Sequence, residues 1–252
     1  MLNEERRQKI QEIVTAKRSI RVREVAKDFN ISEVTIRKDL EILEKRGVLS
    51  RVHGGAIFKE SLVTDRALTE KERIHYQEKK RIAKKAAEFI NPGDVVILDS
   101  GSTTTEISRQ IKYKENIKVI TNAINIASEL AASNIQVTLT GGFLREKSFS
   151  LVGPLAELSL ENLSADKLFL GVDGIHTEYG LTTPNLMEGR VNQLMIRIAH
   201  EVILVADSSK FGKRSMSVIS NLNALDKIIT DKNIPEEDLK KIKELGIEVH
   251  IT

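Results

Sequence analysis

Residues 32–55 read SEVTIRKDLEILEKRGVLSRVHGG, and the reading of this stretch decides the N-terminal fold. Ser32 can cap a helix by accepting a backbone N–H at its start. Ile36, Leu40 and Leu43 follow at spacings of four and three residues, which places them on one helical face. Val34, Lys38, Glu41 and Lys45 face the other way, with Thr35 and Arg37 on the flanks. Gly47 is expected to stop the helix, because glycine adopts the left-handed conformation at no steric cost. Leu49-Ser50-Arg51-Val52-His53 then alternates apolar and polar residues up to Gly54-Gly55, the pattern of a short basic hairpin. A helix carrying Thr, Arg and Lys near its start, followed by such a hairpin, predicts a winged helix-turn-helix. The helix would enter the major groove of double-stranded DNA and the wing would lie along the phosphates. The plain alternative is a surface helix whose charges face water.

What precedes the stretch favours the first reading. Asn3 to Ala16 carries Ile10, Ile13 and Val14 at helical spacing, and Arg21 to Phe29 carries Val22, Val25, Ala26 and Phe29. Asn30-Ile31 makes a tight turn into Ser32, which completes a three-helix head. Residues 1–60 hold 14 Lys and Arg against 10 Asp and Glu, a surplus of four, whereas the remainder holds 25 against 26. The positive excess of the whole chain therefore sits in the head, as a polyanion-binding module on a nearly neutral body requires. Arg37 and Lys38 can reach phosphates or guanine edges, and Thr35 can donate to either. Val34 can meet a thymine methyl, or be an ordinary exposed apolar residue. Arg51 and His53 are expected on the phosphate backbone, where contacts position a protein without specifying sequence.

The 252 residues suffice for one small and one medium domain. With no cysteine there is neither a disulfide framework nor a thiolate metal site. His53, His75, His176, His200 and His250 are scattered, so neither a metal nor another cofactor is expected. The start, Met1-Leu2-Asn3-Glu4-Glu5-Arg6-Arg7, lacks the apolar stretch of a signal peptide, and no apolar run is long enough to span a bilayer. A cytoplasmic location is expected.

The expected divisions are a head over 1–57, a linker over 58–73 and a second domain over 74–252. Ile74, Ile82, Ala86 and Phe89 mark a helix within 70–90, and its Lys79-Lys80-Arg81 and Lys84-Lys85 read as a solvated face. Short apolar runs then alternate with helices. Strands are expected at 95–98, 118–120, 137–139, 167–170, 202–205, 227–229 and 247–250, with helices near 103–110, 123–132, 185–199 and 235–245. The alternation predicts an α/β domain with a doubly wound, largely parallel sheet. Ligands in such sheets bind beyond the carboxyl ends of the strands. There the chain places Asp99, Gly101, Ser102, Thr103 and Thr104; then Asn122; then Gly141 and Gly142 with Arg145 nearby; then Asp173; and Lys210. Hydroxyls beside a helix N-terminus and a cation suit a phosphate, while Asp and Asn suit sugar hydroxyls. Individually each glycine could be a turn and Lys210 a surface lysine; their recurrence at five strand ends favours one pocket.

Ser32-Glu33-Val34-Thr35-Ile36-Arg37-Lys38-Asp39-Leu40 and Arg51-Val52-His53-Gly54-Gly55-Ala56 closely resemble the DeoR family of bacterial transcriptional regulators. The resemblance extends through Asp99-Ser100-Gly101-Ser102-Thr103, Thr121-Asn122, Gly141-Gly142, Gly180-Leu181-Thr182-Thr183 and Ala206-Asp207-Ser208-Ser209-Lys210-Phe211-Gly212. It implies a repressor of a sugar-utilisation operon, released from operator DNA by a phosphorylated sugar, and a sensor fold akin to ribose-5-phosphate isomerase. The segment from Gly180 to Asn185 resembles the subgroup linked to amino-sugar phosphates. Paired half-sites on DNA call for paired heads, hence a homo-oligomer, dimer or tetramer. The competing expectation is a sugar-phosphate isomerase carrying a DNA-binding head, with Asp99, Asp173 or Asp207 as base. Against it, Ile175-His176 stands after Asp173-Gly174, where the resemblance supplies no second acid.

Overall fold

The computed structural model describes residues 3–45, 48–58 and 63–252. They form two compact units, divided between residues 62 and 63. In the first, helices Asn3–Lys17, Val22–Phe29 and Glu33–Lys45 pack with strands Ser19–Arg21, Leu49–Val52 and Gly55–Phe58. The strands pair antiparallel, the third lying between the first and the second. Ile36, Leu40 and Leu43 meet Ile10, Val14, Val25 and Leu49 in one apolar cluster, as their helical spacing requires. Asn30 makes the turn into the third helix at a φ of 53°, a left-handed conformation that Asn tolerates. Ser32 caps that helix by accepting the Thr35 N–H on Oγ at 3.2 Å. The stop expected at Gly47 lies outside the described residues. Gly55 is needed for close approach, because a Cβ there would stand 2.1 Å from the Ile20 carbonyl oxygen.

Asp39 lies on the buried side of the third helix, where it accepts Arg6 Nε at 2.6 Å and Arg7 Nε at 2.9 Å. Two guanidinium groups of the first helix thus grip one carboxylate of the helix expected to read DNA.

The second unit is built on the expected parallel sheet. All seven expected strands are present, in the order Glu248–Ile251, Lys227–Thr230, Ala199–Val205, Ala165–Leu170, Val95–Leu98, Lys118–Thr121, Gln136–Leu139. Their unbroken apolar runs suit central strands covered on both faces. Ile82, Ala86, Ile107 and Ile126 pack on one face, and Ala156, Leu160, Val191 and Met195 on the other. The chain enters at Val95–Leu98, works outward to one edge, then returns to lay Ala165–Leu170 on the opposite side of its starting strand. Those two neighbours are the topological switch point, where the loops diverge and leave a crevice.

Some elements depart from expectation. Residues 63–73 are not a free linker: they belong to the second unit and carry helix Leu68–Arg73. The helix expected within 70–90 breaks at His75, whose φ is 52°, and resumes as Tyr76–Glu88. Lys79, assigned to a solvated face, turns inward, and its ammonium donates to the carbonyls of Lys71 and Ile74 at the end of the short helix. Burial pushes its pKa down to about 8. A hairpin of Phe143–Arg145 and Ser150–Val152 and helix Pro154–Glu161 were not foreseen, nor was a small antiparallel sheet of Gly174–His176, Gly180–Thr183 and Ser217–Ser220. Among the described residues, no helix is long and apolar enough to cross a membrane.

Candidate functional site

In the first unit, the third helix and the hairpin flank a groove lined by Arg37, Leu40, Arg51, Val52 and His53. Arg37 pairs with Glu33 at 2.6 Å and Arg51 with Glu44 at 2.7 Å, all four side chains substantially exposed. Pairs this wet contribute little stability, so the guanidinium groups can change partner at small cost. Lys38 is exposed and Val34 keeps 60% of its surface, so both stand outward as their helical position predicts. Ser32 and Thr35 share a hydrogen bond of 2.9 Å between their hydroxyls, and Ser32 serves as the cap.

In the second unit, a cleft lies at the switch point. Of the residues expected there, it brings together Asp99, Gly101, Ser102, Thr103, Asp173 and Lys210. Ser102 and Thr103 line the cleft at the start of helix Ser102–Ile111, where the first amides have no partner within the helix. Asp173 Oδ1 lies 2.6 Å from Lys71 Nζ and 3.8 Å from Lys210 Nζ.

Five expected residues lie outside the lining. Thr104 is buried and its hydroxyl serves the backbone, donating to the Asp99 carbonyl at 2.6 Å and accepting from the Gly101 N–H at 2.8 Å. Asn122 donates its amide to the Leu151 carbonyl at 3.2 Å and so closes the hairpin onto the sheet. Gly141 and Gly142 follow the edge strand, two strands along from Val95–Leu98; a Cβ on Gly142 would meet the Val152 carbonyl at 2.6 Å. Arg145 stands one layer back, donating to Glu188 at 3.2 Å and pairing with Asp65. The convergence is therefore of three central strand ends rather than five. In place of the missing residues, Leu68, Lys71, Lys147, Glu188 and Asn192 complete the lining. Glu188 and Asn192 had a legible signal: polar residues four apart on the apolar face of a helix. Lys71 and Lys147 had none: Lys71 was one of many charged residues in the helix expected within 70–90, and Lys147 falls in a stretch without periodicity.

Asp99 ties the two sides of the switch point together. Its Oδ2 accepts the Gly171 N–H at 2.9 Å, and its Oδ1 accepts Asn192 Nδ2 at 3.0 Å and the Ser100 N–H. Burial pushes its pKa from 3.8 up to about 6; Glu188 adds to the rise and the donated hydrogen bonds oppose it. A carboxyl with a raised folded-state pKa holds its proton in the native state after the unfolded chain has lost it. Stability should therefore fall as pH rises from about 4 to about 6, by on the order of 3 kcal/mol for this group. Asp99→Asn removes that contribution. We expect urea denaturation between pH 4 and pH 7 to show a shallower decline in the variant; identical pH slopes would mean that Asp99 ionises normally.

A family model described as the DeoR C terminal sensor domain matches residues 74–232, and one described as the DeoR-like helix-turn-helix domain matches residues 6–62. The chain belongs to the DeoR family. Relatives of this DeoR-family chain run along nearly its whole length. It is 39% identical over 248 residues to the putative aga operon transcriptional repressor of Escherichia coli O157:H7, covering 97% of this chain and 92% of the relative. It is 38% identical over 249 residues to the HTH-type transcriptional regulator GlpR of Haloferax volcanii, covering 99% and 98%. The transcriptional repressor AccR of Agrobacterium fabrum is 32% identical over 247 residues, with 94% and 96% covered. Among solved structures, ribose 5-phosphate isomerase A of Methanocaldococcus jannaschii aligns with 18% identity, a TM-score of 0.41, and 55% and 56% of the two chains covered. The translation initiation factor eIF-2B of Pyrococcus horikoshii OT3 aligns with 22% identity and a TM-score of 0.42, covering 59% and 52%. Likeness at that level says nothing about activity.

Proposed function

We propose that this DeoR-family chain is a repressor of a sugar-utilisation operon that binds operator DNA through its first unit and leaves it when a phosphorylated sugar enters the cleft of its second. The observation that carries the reading is the meeting, at the switch point, of the hydroxyls of Ser102 and Thr103, a helix N-terminus and the ammonium groups of Lys71 and Lys210. Amides and hydroxyls at a helix start, joined by cations, suit a phosphate. Asp173, Glu188 and Asn192 supply acceptors and an amide for sugar hydroxyls, amino-sugar phosphates among the candidates. The relatives named as operon repressors and transcriptional regulators support the same reading. As a DNA-binding regulator it acts in the cytoplasm, and we propose that it does so as a homo-oligomer, because paired heads meet paired half-sites.

Two measurements test this. Thermal shift against phosphorylated sugars should raise the melting temperature of the second unit, since a ligand that prefers the folded state stabilises it. Arg37→Ala should weaken binding to the chain's own promoter by about 5- to 150-fold, as loss of one base or phosphate contact does. An Arg37→Ala protein with wild-type affinity would remove that helix from the interface. An isomerase would instead convert aldose phosphate to ketose phosphate on incubation, and we expect no such conversion.

A further inference from the structure

Residues 63–73 follow the DNA-binding unit in sequence and open the second unit. They form a strap that contributes Leu68 and Lys71 to the cleft. The strap is anchored by polar contacts before, at and after the cleft residues. Before them, Val63 N–H donates to the Arg214 carbonyl at 2.8 Å and Asp65 pairs with Arg145. At the first of them, Leu68 N–H donates to the Lys147 carbonyl at 2.6 Å. Lys79 holds the carbonyl of Lys71 and, after it, that of Ile74. Between these anchors Lys71 reaches Asp173, a largely buried pair whose carboxylate oxygen also faces Lys210.

Two cations on one carboxylate oxygen leave a positive excess where they meet. A phosphate dianion carries more charge than Asp173 and offers several oxygens, so in a partly dry cleft it competes well for an ammonium. We infer that Lys71 is the coupling residue: an anion at the start of helix Ser102–Ile111 draws Lys71 away from Asp173, and the strap transmits that change along the chain toward the DNA-binding unit. The inference rests on the reading of the cleft as a sugar-phosphate site. A ligand shifts an equilibrium only by the difference in its affinity for the two arrangements. Lys71 is the group that changes partner between them, and it sits on the segment leading to the DNA-binding unit. Ser102, Thr103 and Lys210 remain to hold the anion when Lys71 is gone, so binding and transmission are separable.

The test compares wild type, Lys71→Met and Lys71→Arg, each as the full chain. Ribose 5-phosphate, glucose 6-phosphate, glucosamine 6-phosphate and fructose 1-phosphate are first ranked by thermal shift of the wild type. The promoter dissociation constant is then measured by fluorescence anisotropy with and without a saturating amount of the top-ranked sugar phosphate. For wild type and Lys71→Arg we expect that constant to rise about tenfold or more, within the usual range of coupling between two sites. For Lys71→Met we expect a change of less than about twofold, although the same sugar phosphate still shifts its melting temperature at higher concentration. Hydrogen exchange in residues 63–73 should rise with the sugar phosphate in wild type and stay unchanged in Lys71→Met. A saturated Lys71→Met protein that releases DNA as fully as wild type would overturn the inference and leave the sugar-phosphate reading standing. So would a Lys71→Met protein that no sugar phosphate shifts, because Lys71 would then only bind. If none of the four shifts the wild type, the reading of the cleft fails and the inference fails with it.

Discussion

Replacing Asp39 by Ala should unfold, or nearly unfold, the DNA-binding unit while leaving the second unit intact. Asp39 accepts one guanidinium hydrogen bond from each of Arg6 and Arg7, and both it and Arg6 are buried. Removing the carboxylate strands Arg6 in the interior, where it keeps a hydrogen bond to Asn3 Oδ1 at 3.1 Å. Breaking a buried pair in this way costs about 3–5 kcal/mol. A unit of this size holds roughly 3–5 kcal/mol in all, so the loss is comparable to its whole stability. Differential scanning calorimetry of the full chain should resolve a transition for each unit. We expect the one belonging to the first unit to fall by roughly 15–30 °C, given about 4–8 °C per kcal/mol in a domain this small. Promoter binding should vanish with it. Asp39→Asn keeps an acceptor but loses the charge, and should fall between the variant and wild type. A first transition within a few degrees of wild type in Asp39→Ala would show that the paired arginines contribute little.

The second large effect concerns the cleft. Thr104 donates its hydroxyl to the Asp99 carbonyl and Thr105 donates its own to the Gly101 carbonyl, so they hold the turn rather than a ligand. Ser102 and Thr103 line the cleft at the start of the same helix. Hydrogen bonds to a charged group contribute about 1.5–3 kcal/mol each. Replacing both residues by Ala should therefore raise the sugar-phosphate concentration needed for half-release of promoter DNA by about a hundredfold or more. The measurement is a gel-shift titration at fixed DNA. If the double variant responds at the wild-type concentration, the anion binds somewhere other than this helix start.

The sheet was legible because buried parallel strands are written as unbroken apolar runs such as Val95-Val96-Ile97-Leu98 and Val202-Ile203-Leu204-Val205. The head was legible because Ile36, Leu40 and Leu43 keep helical time against an otherwise charged background. Helix Pro154–Glu161 escaped because Leu155 and Leu158 are exposed apolar residues, which blur the one-sided pattern. The cleft was half legible. Loops after the central strands announce themselves by Asp, Gly, Ser and Thr, and Asp99, Ser102, Thr103 and Asp173 from those loops all line the cleft. The same composition after the outer strands misled, because Asn122, Gly141 and Gly142 there fit a hairpin onto the sheet. What sequence does not carry is distance: Asp39 meets Arg6 across 33 positions and Arg145 meets Asp65 across 80, and neither pairing follows from local pattern.

The central claim is that occupancy of the cleft and occupancy of DNA are one linked equilibrium. Linkage makes a sharp demand, because the factor by which a sugar phosphate weakens DNA binding must equal the factor by which DNA weakens sugar-phosphate binding. Isothermal titration of the top-ranked sugar phosphate into the full chain, with and without saturating promoter DNA, measures the second factor against the first from anisotropy. We expect the two factors to agree, at about tenfold or more. Equal sugar-phosphate affinity with and without DNA would contradict the account outright.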